Sequence, residues 1–264
     1  MKIVRFLLAG QVRYGSVDLA WDDDSLGTVV EYDGNPVTEL ASPTGVRHAL
    51  ADVRLLAPVE PSKVIGLARN YSPDCDPELP GPADRPQVFL KPPVSVIGPG
   101  DPIVIPALSH DTALEGELVV VIGQRARYVP VDDVDQVIGG YTVCNDVTAR
   151  DFFVDNVPWG LAKGFDHFTP IGPWVVTDLT LAQASEAAIV TRVDGDIVQQ
   201  GTTRRLLWPI AQQISYLSHV MTLLPGDVIL TGTPAGACQI RPGQRIDVDV
   251  EGIGTLSNPV VAED

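Results

Sequence analysis

Residues 113–123, ALEGELVVVIG, decide how this chain folds. Residues 118–122 are Leu-Val-Val-Val-Ile, a short apolar run ended by Gly123, and it reads as a strand. Side chains two apart on a strand project to the same face, so Glu115 and Glu117 point together across Gly116. Both acids stand at the mouth of a strongly apolar strand, where an unpaired carboxylate is costly. A hard divalent cation would resolve their mutual repulsion, since Mg²⁺ favours oxygen ligands and keeps positions for water or substrate. The other reading is a strand that has not yet entered the core, with both acids solvated.

On either side the pattern repeats. PSKVIGLARNY (61–71), PQVFLKPP (86–93), DPIVIP (101–106) and GGYTVCND (139–146) are short β-rich runs punctuated by Pro and Gly. Upstream, KIVRFLLAG and QVRYGSVDLA read as strands. The acidic turn Asp22-Asp23-Asp24 and the strand GTVVEYDG follow. Asp146 through Asn156 reads as a short helix. Pro209 opens another in its favoured first-turn position, with Ile210, Ile214, Leu217 and Met221 at helical spacing. IDVDVEGIGTL closes the chain with Ile246, Val248 and Val250 on one face. Strands dominate without regular βαβ alternation. The expected fold is therefore α+β and β-dominated, a mixed sandwich, roll or barrel. Residues 1–55 form a small strand-rich N-terminal domain, and 56–264 the larger unit.

The chain has 264 residues and a net charge of −16, from 34 acidic and 18 basic groups. That field repels nucleic acid and anionic membranes, and no basic stripe overrides it. No apolar run approaches the roughly 20 residues of a membrane span. The opening MKIVRFLLAG is too short and too interrupted by Arg5 for a leader, so a cytoplasmic protein is expected. Cys75, Cys144 and Cys238 include no CxxC pair and read as three reduced thiols. An anionic small substrate would need local cations in such a chain. Lysine occurs only at 2, 63, 91 and 163, which makes each one worth weighing.

Asp146, at a strand-to-helix junction, is a candidate third ligand or simply a helix N-cap. Lys163 lies in the nearly uncharged GLAKGF, where a lysine either snorkels or meets an anion. Arg69 and Arg150 are further cations near these segments. TGTPAG (231–236) could cradle a carboxylate on free backbone N–H groups but is not a P-loop. SPDCDPELPGPADRP (72–86) holds five prolines in fifteen residues, a lid or an idle excursion. The four histidines have no metal-type spacing, and no nucleophile motif supports a hydrolytic triad.

Six of these pieces together resemble the fumarylacetoacetate hydrolase family: ARNY, PQVFLKPPVSVIGPGDPIVIP, LEGELVVVIG, GGYTVCNDVTARD, LAKGFDHFTPIGPW and MTLLPGDVILTGTPAG. They stand in the family's order from about residue 56 to the C-terminus. The resemblance implies a mixed β-sandwich roll, usually a homodimer, often behind a small N-terminal domain. It implies Mg²⁺ or Mn²⁺ held by Glu115, Glu117 and Asp146, with Lys163 as the site lysine. Thr233, Asn70 and Tyr71, with Arg69 beside them, would border the substrate, and Arg150 matches the Arg of the ARD element.

One departure matters. Many members carry NYxxHxxE, a water-activating dyad on a lid; here the run is NYSPDCDPE, with Asp74 at the His position and Pro77 at the Glu position. Glu78 falls one residue late. An aspartate with a pKa of roughly 4 is a far weaker base than histidine at neutral pH. The expectation is a metal-dependent enzyme acting on a 2-oxo acid or acylpyruvate-type substrate, with C–C hydrolysis as the broad label. Lys163, Asp74 and Arg150 would be catalytic. Decarboxylation or enol–keto isomerisation is the alternative, and a non-catalytic metal-stabilised scaffold is the competing class.

Overall fold

The computed structural model describes residues 1–20, 23–72, 84–153 and 159–263. Two sheets account for most of the fold. In the larger, the strands run in the order Pro43–Ala49, Asp23–Tyr32, Gln11–Ala20, Lys2–Leu8, Thr169–Val176, Ile138–Asn145, Gly116–Ile122, Val228–Leu230, Val64–Ala68 and Gln87–Lys91. The second runs Asp196–Thr202, Ala188–Val193, Arg245–Val250, Gly254–Ala262 and Ile103–Ile105. Both parallel and antiparallel pairs occur, as in Val228–Leu230 beside Val64–Ala68 and beside Gly116–Ile122. The β-dominated α+β architecture expected from the sequence is the one observed, with a strand-rich N-terminal unit.

All seven residues of Gly116–Ile122 are buried, because the strand is central in its sheet and the second sheet covers one face. Gly116 shows how close that cover lies. A Cβ there would stand 2.2 Å from Thr191 Oγ1 and 2.9 Å from a Val248 methyl, both on the second sheet. Only glycine fits. Alternation then turns Glu115 and Glu117 the opposite way, out of the sandwich interior.

The N-terminal strands join the large sheet directly. Lys2 and Ile3 pair with Val176 and Val175, and Arg54–Leu56 returns to pair with Lys2–Leu8. The strand Asp23–Tyr32 includes Asp23 and Asp24, so the acidic run is not wholly a turn.

Two helix expectations need correction. The segment after Asp146 forms no α-helix among the described residues. Thr148–Ala149 is a two-residue strand paired with Thr112–Ala113, and Arg150–Phe152 is a single 3₁₀ turn. The backbone explains why: Asp146 N–H donates to Glu115 O, Val147 N–H to Asn145 O and Phe168 O, and Arg150 N–H to Asp111 O. Donors engaged with other segments are lost to an i→i−4 ladder, and the β-branched pair Val147-Thr148 favours extension. Asp146 is therefore not a helix cap. The later helix spans Ile210–Val220, with Pro209 just before it in extended conformation rather than inside the first turn. Ile210, Ile214 and Leu217 are buried as the spacing required, while Met221 follows the last turn.

Candidate metal centre

Glu115, Glu117 and Asp146 come together. Each offers a carboxylate oxygen, and the three oxygens lie within 4.8 Å of one another. Glu117 and Asp146 are 2% and 1% exposed, and Glu115 is half-buried. Adjacent strands set the geometry: Gly116 is registered opposite Asn145, so the two ends present their acids side by side. Asn145 Oδ1 accepts the Glu115 N–H at 2.9 Å and pins the entrance of the acidic strand.

Lys163 stands among these acids at the end of a short helical turn, Gly160–Lys163. Its Nζ donates to Glu115 Oε2 at 2.8 Å and to Asp146 Oδ2 at 2.5 Å. The lysine therefore meets anions rather than snorkelling.

Charge explains the protonation pattern. Two carboxylates at about 4–5 Å repel by on the order of 3–4 kcal/mol at an effective dielectric near 20. Glu117 responds most: burial, then the charges of Asp146 and Glu115, push its carboxyl well above the ordinary range against the opposing pull of Lys163. Burial raises Glu115 as well, with Lys163 opposing and Asp146 adding to the rise. Burial also acts to raise Asp146, but the Lys163 and Lys91 ammoniums outweigh it and hold that carboxyl low. Lys163 is driven upward: burial disfavours its charge, yet Asp146 and Glu115 over-compensate, so it stays an ammonium.

The donor set fits a hard divalent cation. All three donors are carboxylate oxygens, and three of them leave positions for water or substrate around an octahedral ion. With the three acids ionised and two lysines protonated, the cluster carries −1. A divalent ion would turn this to +1, a sign suited to an anionic substrate within an acidic protein.

Lys91 is the residue that sequence reasoning missed. It is 1% exposed, and its Nζ is bonded to Asp146 Oδ1, to Phe168 O at 2.7 Å and to Val147 O at 3.2 Å. The available signal was its placement, one of four lysines, at the end of an apolar strand and directly before Pro92-Pro93. Gln199 was missed too. Its Oε1 accepts the Gly116 N–H at 3.0 Å, and its Nε2 donates to Thr233 Oγ1 and Pro234 O.

The remaining candidates divide. Gly232 N–H of the TGTPAG turn donates to Glu117 Oε2 at 2.7 Å, so the turn does hold a carboxylate, one of the protein's own. Thr233 donates its hydroxyl proton to Gly116 O at 2.9 Å. Asn70 is buried and fully engaged with backbone, accepting from Trp208 N and donating to Thr231 O and Trp208 O. Tyr71 is completely buried and bridges to Leu206. Asn70 thereby ties the start of the turn to the Trp208 segment. Arg69 is exposed, in left-handed backbone at φ 51°, its guanidinium 5.9 Å from the Trp159 ring centre. Arg150 is not drawn to the acids: its guanidinium forks onto Asp111 at 2.6 and 3.1 Å. Asp74 and Glu78 lie outside the described residues.

Among the described residues, no hydrogen bond links a histidine to the triad. His48 pairs with Glu31, His167 with Pro102 O and His219 with Ser215 O. Cys144 is a buried free thiol, its ionisation suppressed by burial, and Cys238 is free and half-buried. No helix among the described residues is long and apolar enough to cross a membrane.

A strand-dominated fold that gathers three carboxylates and a lysine where two adjacent strands of one sheet meet is the frame of an enzyme acting on small molecules. The chain belongs to the fumarylacetoacetate hydrolase family: residues 63–261 match the family described as fumarylacetoacetate (FAA) hydrolase C-terminal, and residues 1–58 match one described as Rv2993c-like, N-terminal. It is 43% identical to Protein Rv2993c of Mycobacterium tuberculosis over 99% of this chain and 98% of that protein. It is 35% identical to the mitochondrial oxaloacetate tautomerase Fahd2a of Rattus norvegicus, covering 94% of this chain and 84% of the other. The structure of 5-carboxymethyl-2-hydroxymuconate delta-isomerase from Mycobacterium smegmatis superimposes with a TM-score of 0.91 at 41% identity, over 100% of both chains. Maleylpyruvate hydrolase from Sphingobium sp. SYK-6, solved with manganese(II) and pyruvate, superimposes at 0.80 with 28% identity, again over 100% of both. The chain is an enzyme of this family, with isomerase, tautomerase and hydrolase relatives.

Proposed function

We propose that this enzyme uses Mg²⁺ or Mn²⁺, held by Glu115, Glu117 and Asp146, to interconvert the enol and keto forms of a 2-oxo acid. The observation that carries the reading is the largely buried acidic triad bridged by Lys163, with no histidine hydrogen-bonded to the triad among the described residues. When bound, the ion supplies Lewis acidity to the substrate's 2-oxo oxygen. Lys163 lies beside Glu115 and Asp146, whose charges favour its protonated form, and it is the proposed cation for charge that develops on that oxygen. The reaction moves the enol hydroxyl proton away and delivers a proton to the neighbouring carbon, with no redox change. Asp74 is the proposed proton carrier, from its position in the sequence. Arg69, exposed beside the buried Asn70-Tyr71 pair, is the proposed hand for the substrate's far end. Arg150, forked onto Asp111, is left out of the chemistry.

C–C hydrolysis of an acylpyruvate is the second reading, supported by the hydrolase relative and the shared triad. It needs a water activator stronger than an ordinary aspartate, which is why isomerisation stands first. A homodimer and a cytoplasmic location belong to the same proposal.

The test is direct. Purified protein stripped with EDTA, then given Mn²⁺, is offered enol-oxaloacetate and acylpyruvates, and the ultraviolet band of the enol is followed. Metal-dependent decay of the enol band without release of a carboxylic acid fragment is expected. Acid release would shift the assignment to hydrolysis. Inertness towards the whole panel with Mn²⁺ bound would favour a scaffold and overturn the proposal.

A further inference from the structure

We propose that Lys91 is a positioning residue for the metal site, holding Asp146 in one orientation without touching substrate; this rests on the metal reading above. The ammonium has three donors and three acceptors: Asp146 Oδ1, Phe168 O and Val147 O. No donor is left over, so a direct role on substrate is closed to it. The side chain is fully buried at the end of the strand Gln87–Lys91, and the next two residues are prolines.

Asp146 is thereby gripped asymmetrically. Its Oδ1 accepts from Lys91, while Oδ2 accepts from Lys163, which also bonds Glu115 Oε2. Lys163 bridges two of the three acids and can exchange those contacts when a cation arrives. Lys91 bonds to one acid and two backbone carbonyls, so its arrangement is complete with or without an ion. The carboxylate is left with one oxygen to give and a fixed plane in which to give it. Such outer contacts typically carry 10–100-fold in metal affinity. A buried charge pair is an expensive way to fill space, and an apolar side chain of similar volume is often as stable or more so. Packing alone therefore does not account for a lysine here.

Charge and positioning predict opposite outcomes. If Lys91 acted only as a charge, Lys91→Met would make the pocket more negative and tighten the metal. If it orients Asp146, the same change frees the carboxylate to rotate and weakens the metal. The experiment titrates Mn²⁺ into EDTA-stripped full-length wild type, Lys91→Met and Lys91→Gln, reading free Mn²⁺ by electron paramagnetic resonance. The expected result is a 10–100-fold weaker affinity in Lys91→Met, a smaller loss in Lys91→Gln, and an altered spectrum of the bound ion. Circular dichroism and melting curves establish that each variant is folded. Unchanged or tighter binding in a folded Lys91→Met overturns the proposal while leaving the metal reading intact. Absence of Mn²⁺ binding in wild type sinks the metal reading itself. If Lys91→Met fails to fold, Lys91→Gln decides by the same criterion. If neither folds, Lys91 is a structural residue and the proposal falls.

Discussion

Gly232 donates its backbone N–H to Glu117 Oε2 at 2.7 Å, so a turn from one end of the chain orients a carboxylate from its middle. The glycine has φ +105°, and a Cβ there would lie 2.9 Å from the Asn70 Cβ. Gly232→Ala should therefore strain the turn and shift its N–H, costing about 1–3 kcal/mol of stability. Melting curves and Mn²⁺ titration should fall together. A variant with wild-type affinity would show that the turn does not orient Glu117.

Glu117→Gln removes a carboxyl that burial and two neighbouring acids already push towards its neutral form. We expect Mn²⁺ affinity to drop by at least about 100-fold and turnover to vanish, while the metal-free protein melts higher than wild type because an amide fills the site without a buried charge or the uptake of a proton. Glu117→Ala should likewise lose metal and activity. Full turnover in either would be incompatible with the triad as the metal site.

The pH dependence follows from the same residue. Glu117's folded-state pKa lies above its unfolded value, so the folded chain binds more protons between the two and stability declines as pH rises through that window. Asp146 acts in the opposite sense: its carboxyl is held low, and its contribution is lost on acidification through that lowered value. Metal binds ionised Glu117 and should displace a proton, so affinity should climb with pH. Calorimetry in buffers of different ionisation enthalpy measures that proton, and Glu117→Gln should abolish the signal.

Asp74→Ala tests the proton carrier. Turnover should slow by about 10²–10⁴-fold if the carboxylate performs general acid–base work, with Mn²⁺ affinity unchanged. Equal rates would remove Asp74 from the scheme.

Much of this architecture was legible because it follows from periodicity. The apolar run at 118–122, the Ile246-Val248-Val250 alternation and the helical spacing from Ile210 each translate into burial without tertiary knowledge. The convergence of Glu115 and Glu117 was equally local. Helix formation after Asp146 was misjudged because hydrogen bonds to Glu115, Phe168 and Asp111 come from distant segments and override local preference. Lys91 and Gln199 were hidden for a related reason. Each looks ordinary on its own strand, and only pairing across the sheets gives them partners. Asn70 and Tyr71 are buried, a property that adjacency in sequence cannot disclose.

The bare backbone of Gly116 works as a spacer between the two layers of the molecule. It rests on Thr191 and Val248 while the acids on either side of it form the pocket. Any side chain that thickens the contact at 191 or 248 would lever the strand outward and change the gap between Glu115 and Glu117 from a distance. Selection can thus retune the grip on a cation through residues that never meet it.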